Sequence, residues 1–159
     1  MNPTEPKSLR EWSTNGGHLF TCGRPGRATF GREQRPIDED TIDRWAGGLP
    51  SVDVLHIVSL LGEKRSGLSE FSYYPFRSSK KPGAEPTFQE WLDQRYGPRF
   101  VVHEFPTVDM RGIPPDVLAA AAQEVRHLVD EGNLVVVIDS AGAERTARVC
   151  EACGYELMA

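Results

Sequence analysis

Leu134-Val-Val-Val-Ile-Asp-Ser-Ala-Gly-Ala-Glu-Arg-Thr146 is the stretch on which the reading of this chain turns. The unbroken apolar run 134–138 predicts a buried strand. It gives way to a small-residue loop, Ser140-Ala141-Gly142-Ala143, and Arg145 and Thr146 open a helix. A strand, a tight turn and a helix N-terminus together form an anion site, because unpaired backbone N–H groups converge there and the helix dipole adds positive potential. Arg145 contributes a planar guanidinium suited to bidentate binding of phosphate.

Outward from this stretch the chain alternates between strand and helix signals. His18–Cys22 reads as a short strand, and Val54–Leu61 and Phe100–Phe105 as buried ones. Phe71–Phe76 reads as either a strand or a packed aromatic loop. Asp38–Leu49 predicts a helix capped by Asp38 or Asp40, with Ile42 and Trp45 on one face and Gly47-Gly48 at its end. Thr87-Phe-Gln-Glu90 is a capping-box pattern for a helix carrying Trp91 and Leu92. Pro114-Pro115 opens a helix striped by Val117, Leu118, Ala121, Val125 and Leu128, and a last helix runs from Arg145 to Cys153 with Gly154 beyond it. Such alternation predicts an α/β fold with a central, mostly parallel sheet flanked by helices. Ligands in such sheets bind at the C-terminal strand ends. Residues 1–18 read as a loose lead-in to a single domain over 19–159. Gly23–Pro36 and Gly62–Leu68 read as loops, and Arg77–Pro86 as a mobile polar one.

The 159 residues suffice for one domain with a core, and 39% hydrophobic with 26% charged residues is ordinary for a globular protein. A net charge of −5 argues against a nucleic-acid partner. No segment is apolar enough to suggest a membrane span, and the first ten residues lack the apolar core of a secretory signal, so a cytoplasmic location is expected. Three cysteines, Cys22, Cys150 and Cys153, are an odd count that argues against a disulfide framework. Cys150 and Cys153 read as small packing residues rather than a redox or metal pair. No metal or cofactor is indicated. His56 and His103 lie in strand patterns and read as satisfied structural residues, Trp45 and Trp91 as core. Arg24, Arg27, Arg32 and Arg35 read as solvated loop residues.

The 139–146 stretch resembles the signature of the cysteine-dependent tyrosine and dual-specificity phosphatases: a Cys, five residues, an Arg, then Ser or Thr. Gly142 falls where that signature has its glycine, and Arg145 and Thr146 fit its end. Asp139 stands where the family has its nucleophilic Cys, and Ile138 where it usually has His. Phe105-Pro-Thr-Val-Asp-Met-Arg-Gly-Ile-Pro-Pro115 resembles the movable acid loop of the dual-specificity group, with Asp109 at the position of the proton donor. The resemblance implies a dual-specificity phosphatase-like fold over most of 19–155. It implies a phosphate cradle of Ser140, Ala141, Gly142, Ala143, Glu144, Arg145 and Thr146, and catalytic positions Asp139, Arg145 and Asp109. The family usually carries further helices after this loop. The chain ends at Ala159, so residues 1–50 are expected to cover the sheet instead, and apolar surface left open would favour a homodimer.

Asp139 divides the functional reading. As a carboxylate it would lie under a bound phosphate and repel it, or it would itself satisfy Arg145 and the loop N–H groups as an internal anion. The first expectation is a pseudophosphatase that binds phosphate or a phosphorylated protein or small molecule. The second is an active phosphohydrolase with Asp139 as nucleophile or base and Asp109 as acid. The third is a structural or interaction domain in which Asp139 and Arg145 merely pair. Against these stand ordinary roles: a strand–loop–helix crossing, a turn residue at Asp109, and a surface Arg145 paired with Glu144 or Glu151.

Overall fold

The computed structural model describes residues 5–30 and 36–159. Its strands are β1 (Arg10–Ser13), β2 (His18–Gly23), β3 (Leu55–Ser59), β4 (Phe100–Glu104), β5 (Leu134–Asp139) and β6 (Glu156–Leu157), in the sheet order β4-β3-β5-β2-β1-β6. β4, β3, β5 and β2 are parallel neighbours, whereas β1 pairs antiparallel with β2 and β6 antiparallel with β1. The architecture is α/β, but the sheet is mixed rather than mostly parallel. The cause is local: residues 14–17 are long enough for a hairpin and far too short for the crossover that a parallel pairing needs.

β1 lies inside the stretch expected to be a loose lead-in. Trp12 is buried there, and its indole N–H donates to Thr21 Oγ1 at 3.0 Å. β6 was also unforeseen, being two exposed residues without an apolar pattern.

The helices are α1 (Arg27–Phe30), α2 (Glu39–Gly47), α3 (Phe88–Tyr96), α4 (Pro115–Asp130) and α5 (Glu144–Ala152). α1 interrupts the expected Gly23–Pro36 loop. Asp38 caps α2 by accepting the Thr41 N–H at 2.8 Å, and Thr87 with Glu90 completes the capping box of α3. Phe71–Phe76 is neither alternative alone: Glu70–Tyr73 forms a 3-10 turn and the rest is packed loop. Arg77–Pro86 closes on itself, since the Arg77 N–H donates to Pro86 O at 2.9 Å and Arg77 Nη1 to Lys81 O at 2.7 Å.

Period-two alternation in β5 sorts the core into two layers. Val136 and Ile138 face Ile42 and Trp45 of α2, Leu92 of α3 and an aromatic group that includes Phe71, Phe76 and Phe88. Val135 and Val137 face Ala121, Val125 and Leu128 of α4 and Val149 and Cys150 of α5. α2 therefore supplies the cover expected from residues 1–50. Fully burying side chains such as Trp45 and Phe88 contributes roughly 2–3 kcal/mol each. Cys150 is buried and Cys153 half-buried with its thiol on Ala122 O at 3.3 Å, as packing residues would be, and all three cysteines are free. Among the described residues no helix is long and apolar enough to cross a membrane. Arg32 and Arg35 lie outside the described residues.

Candidate functional site

The parallel strands β3, β4 and β5 bring three loops to one end of the sheet: 60–70, 105–114 and 139–146. The last is shaped by Gly142. Its φ of +75° suits glycine, and an added Cβ would run into the Cys22–Gly23 backbone. The loop is thus pressed against the end of β2, where Arg24 N–H donates to Ser140 O at 3.4 Å and Arg10 Nη2 to Gly142 O at 3.1 Å.

Asp139 is 2% exposed. Its Oδ1 accepts the Gly142 N–H and its Oδ2 accepts the Thr146 N–H at 3.1 Å. α5 has Ala143 at its N-cap, a residue with no side-chain acceptor. Asp139 reaches over from the strand end and does the capping from outside the helix, at the end where the dipole favours negative charge. Two of the N–H groups that would face a bound anion are therefore held by the chain's own carboxylate.

Arg145 is 4% exposed, not the surface residue that its position in a polar helix also allowed. Its Nη1 donates to Thr107 Oγ1 at 2.7 Å, to Glu70 Oε1 at 3.2 Å and to Leu60 O at 3.3 Å. Nη2 donates to Asp109 Oδ1 at 3.0 Å and to Glu70 Oε2 at 3.4 Å. Nε lies 4.0 Å from Asp139 Oδ2. One guanidinium thus sits among three carboxylates. The sequence-derived trio Asp139, Arg145 and Asp109 is brought together, with Asp109 partly exposed at the mouth and Asp139 beneath. Glu144 is exposed, and Ala141 and Ala143 offer backbone only.

Glu70 and Thr107 went unforeseen. Glu70 is fully buried, and burial raises its carboxyl above the usual range while Arg145 and the Gly62 N–H, which donates to Glu70 Oε1 at 3.1 Å, pull it back. The faint signal was an acid placed directly before an aromatic run. Nothing in that run names a partner 75 positions away. Thr107 Oγ1 also donates to Leu60 O at 2.7 Å, which locks the 105–114 loop to the end of β3.

Arg24 is also buried rather than solvated. It donates to Tyr74 Oη at 3.1 Å, and Tyr74 donates to Pro25 O at 2.6 Å. Its charge also acts favourably on Glu70, so a second cation supports the knot at longer range.

Chemically the arrangement is a cradle with its anion already inside. The nearest thiol, Cys22, is buried, and its ionisation is pushed well above the usual range by burial and by the charge of Asp139. It is no substitute for a thiolate nucleophile. Both Asp139 oxygens are engaged by N–H donors, which lowers their reach as nucleophiles. His56 and His103 lie away from the loop on β3 and β4. His56 Nδ1 is 3.0 Å from His103 Nε2, and His103 Nδ1 is 3.3 Å from Glu124 of α4, the satisfied arrangement expected of them. Among the described residues no group of three or more His, Cys, Asp or Glu is placed to hold a metal ion. Comparison of the chain with protein-family models, with curated proteins and with solved structures gives no match.

Proposed function

We propose that the chain is a catalytically silent domain of the tyrosine/dual-specificity phosphatase type, a pseudophosphatase whose 139–146 loop is closed by its own Asp139. In this reading it serves as a binding or regulatory module for phosphate or a phosphorylated partner. The observation that carries the reading is the seat of the Asp139 carboxylate on the Gly142 and Thr146 N–H groups. A phosphoryl oxygen would take that place in a working loop. Each unit of like charge at ~4 Å opposes entry by about 4 kcal/mol at an effective dielectric of 20, so the unaltered chain binds free phosphate weakly at neutral pH.

The test is hydrolysis of an aryl phosphate by the chain and by Asp139→Cys, with phosphate and phosphopeptide binding to Asp139→Asn measured alongside. Turnover by the Cys variant alone, with anion binding gained in the Asn variant, is the expected pattern. If phosphate, sulfate and phosphopeptides all fail to bind Asp139→Asn, the reading is wrong. Turnover by the unaltered chain would instead favour Asp139 as nucleophile or base and Asp109 as acid.

A second reading is favoured by the saturation of Arg145. With Glu70, Asp109, Thr107 and Leu60 O all on its terminal nitrogens, the guanidinium performs a structural task without any ligand. Under that reading the domain is an interaction scaffold, and no anion shifts its Tm even after Asp139→Asn.

A further inference from the structure

Beside the Arg145 knot, a cavity of about 630 Å3 opens between the loops 62–69, 77–81 and 106–114. None of residues 139–146 lines it. It shares only a wall with the knot: Gly62, whose N–H is held by Glu70, and Thr107, whose hydroxyl is held by Arg145. Those two residues also pack backbone to backbone, since a Cβ on Gly62 would strike Thr107.

The lining is of two kinds. Phe71, Pro106, Val108 and Pro114 give it an apolar surface. Arg77, Lys80, Lys81 and Arg111 surround this surface, against a single carboxylate, Glu63, which lies 3.8 Å from Lys81. Arg77 spends its donors on the Glu85, Ser78 and Lys81 carbonyls, which orient the guanidinium, and its charge acts on the Glu90 carboxylate of α3. Among the described residues neither Lys80 nor Arg111 has a carboxylate within ion-pair distance. This concentration of cations stands out in a chain whose net charge is −5.

We propose that this cavity binds a small organic phosphate monoester, its apolar body against Phe71 and Val108 and its dianion among Lys80, Lys81 and Arg111. The volume suits one small molecule, and an apolar wall with a few convergent polar groups is how such sites are built. Several cations facing one carboxylate match a dianion better than a monocarboxylate. The site is independent of the 139–146 loop, so it does not need that loop to be open.

The experiment is an amide NMR titration of the full chain with phenyl phosphate, with phenol, benzoate and inorganic phosphate as comparisons. Phenyl phosphate should shift signals of 62–69, 77–81 and 106–112, including Gly62 and Thr107. Phenol should bind at least about tenfold more weakly, for want of charge. Inorganic phosphate should also be weaker, for want of an apolar body, and benzoate should fall between. Lys80→Ala/Arg111→Ala should weaken phenyl phosphate about tenfold and Lys80→Glu/Arg111→Glu should abolish its binding. Both side chains are exposed, so the folded spectrum should persist. Shifts confined to 139–146 would overturn this inference while supporting the closed-loop proposal. Absence of phenyl phosphate binding, or binding unaltered in the charge-reversed variant, would overturn it too.

Discussion

Arg145→Met tests whether the guanidinium is the centre of the site's stability. The side chain is 4% exposed and its principal partner, Glu70, is fully buried. Removing the cation leaves a carboxylate out of water with only the Gly62 N–H to hold it, and Asp109 and Asp139 nearby add like charge. Breaking a buried pair in this way costs about 3–5 kcal/mol, a large part of the roughly 5–15 kcal/mol that stabilises a domain. The pH dependence follows from Glu70. Its folded-state pKa is already raised, by burial first, and losing Arg145 raises it further. A carboxyl with a raised folded pKa contributes stability that is full below its unfolded value, about 4.5, and lost as pH climbs through the folded value. Arg145→Met should therefore lose most at pH 8 and visibly less at pH 5. Adding Glu70→Gln removes the stranded charge yet keeps an oxygen for the Gly62 N–H, and should return about 2 kcal/mol at pH 8. Urea unfolding of the chain, both single variants and the double variant, at the two pH values, completes the cycle. A cost below about 1 kcal/mol for Arg145→Met, or no recovery in the double variant, would refute the reasoning.

Asp139→Ala should lose about 2 kcal/mol by stripping the external cap from α5 and leaving the Gly142 and Thr146 N–H groups unmet, whereas Asp139→Asn, which keeps one acceptor oxygen, should lose about half as much by thermal unfolding. Gly142→Ala should cost about 3 kcal/mol, combining the φ penalty with a clash on the end of β2, and an equally stable variant would show that the loop is not pressed there. Burial lowers the pKa of both His56 and His103, against the opposing pull of Glu124 on both and of Glu131 on His56, and the His56 charge lowers His103 further. A depressed histidine pKa means stability that is full above about 6.5 and lost as pH falls towards the folded value. The Tm should thus drop more steeply between pH 7 and pH 5.5 in the chain than in His56→Val/His103→Leu, and parallel curves would show that the pair does not couple to folding.

What was legible in the sequence was what local chemistry writes down. β5 announced itself because a strand buried on both faces needs an unbroken apolar run, and the caps at Asp38 and Thr87 because an N-cap is a contact between near neighbours. The convergence of Asp109 on Arg145 was readable only through the resemblance of the 105–115 loop to an acid loop, with the order of two loops in a parallel sheet placing both at one end. Glu70 was not readable at all, since its value comes from a partner that only the fold brings near. β1 hid for a different reason: among Arg10, Glu11 and Ser13 a single buried Trp12 carries the strand, which leaves no alternation to see. The mixed sheet follows from the same blind spot, because the antiparallel edge is made wholly of the elements that lacked a pattern.

The three carboxylates around Arg145 do different jobs, which is why their excess is tolerable. Glu70 is sealed in and aligned with both terminal nitrogens, so it fixes where the guanidinium points. Asp109, partly exposed, meets Nη2 at the mouth, where solvent screens the surplus charge. Asp139 barely shares Arg145, at 4.0 Å, and spends its charge on backbone N–H groups and the α5 dipole. The loop and the arginine are therefore closed by separate hands. An anion entering the loop must displace Asp139, while recruiting the arginine requires loosening Glu70. Replacing Asp139 alone frees the N–H groups and leaves Arg145 turned towards Glu70, so affinity gained by that single change comes from the loop backbone and the helix end rather than from the guanidinium. In this chain the arginine is first a structural cation, and anion binding has to be built around it.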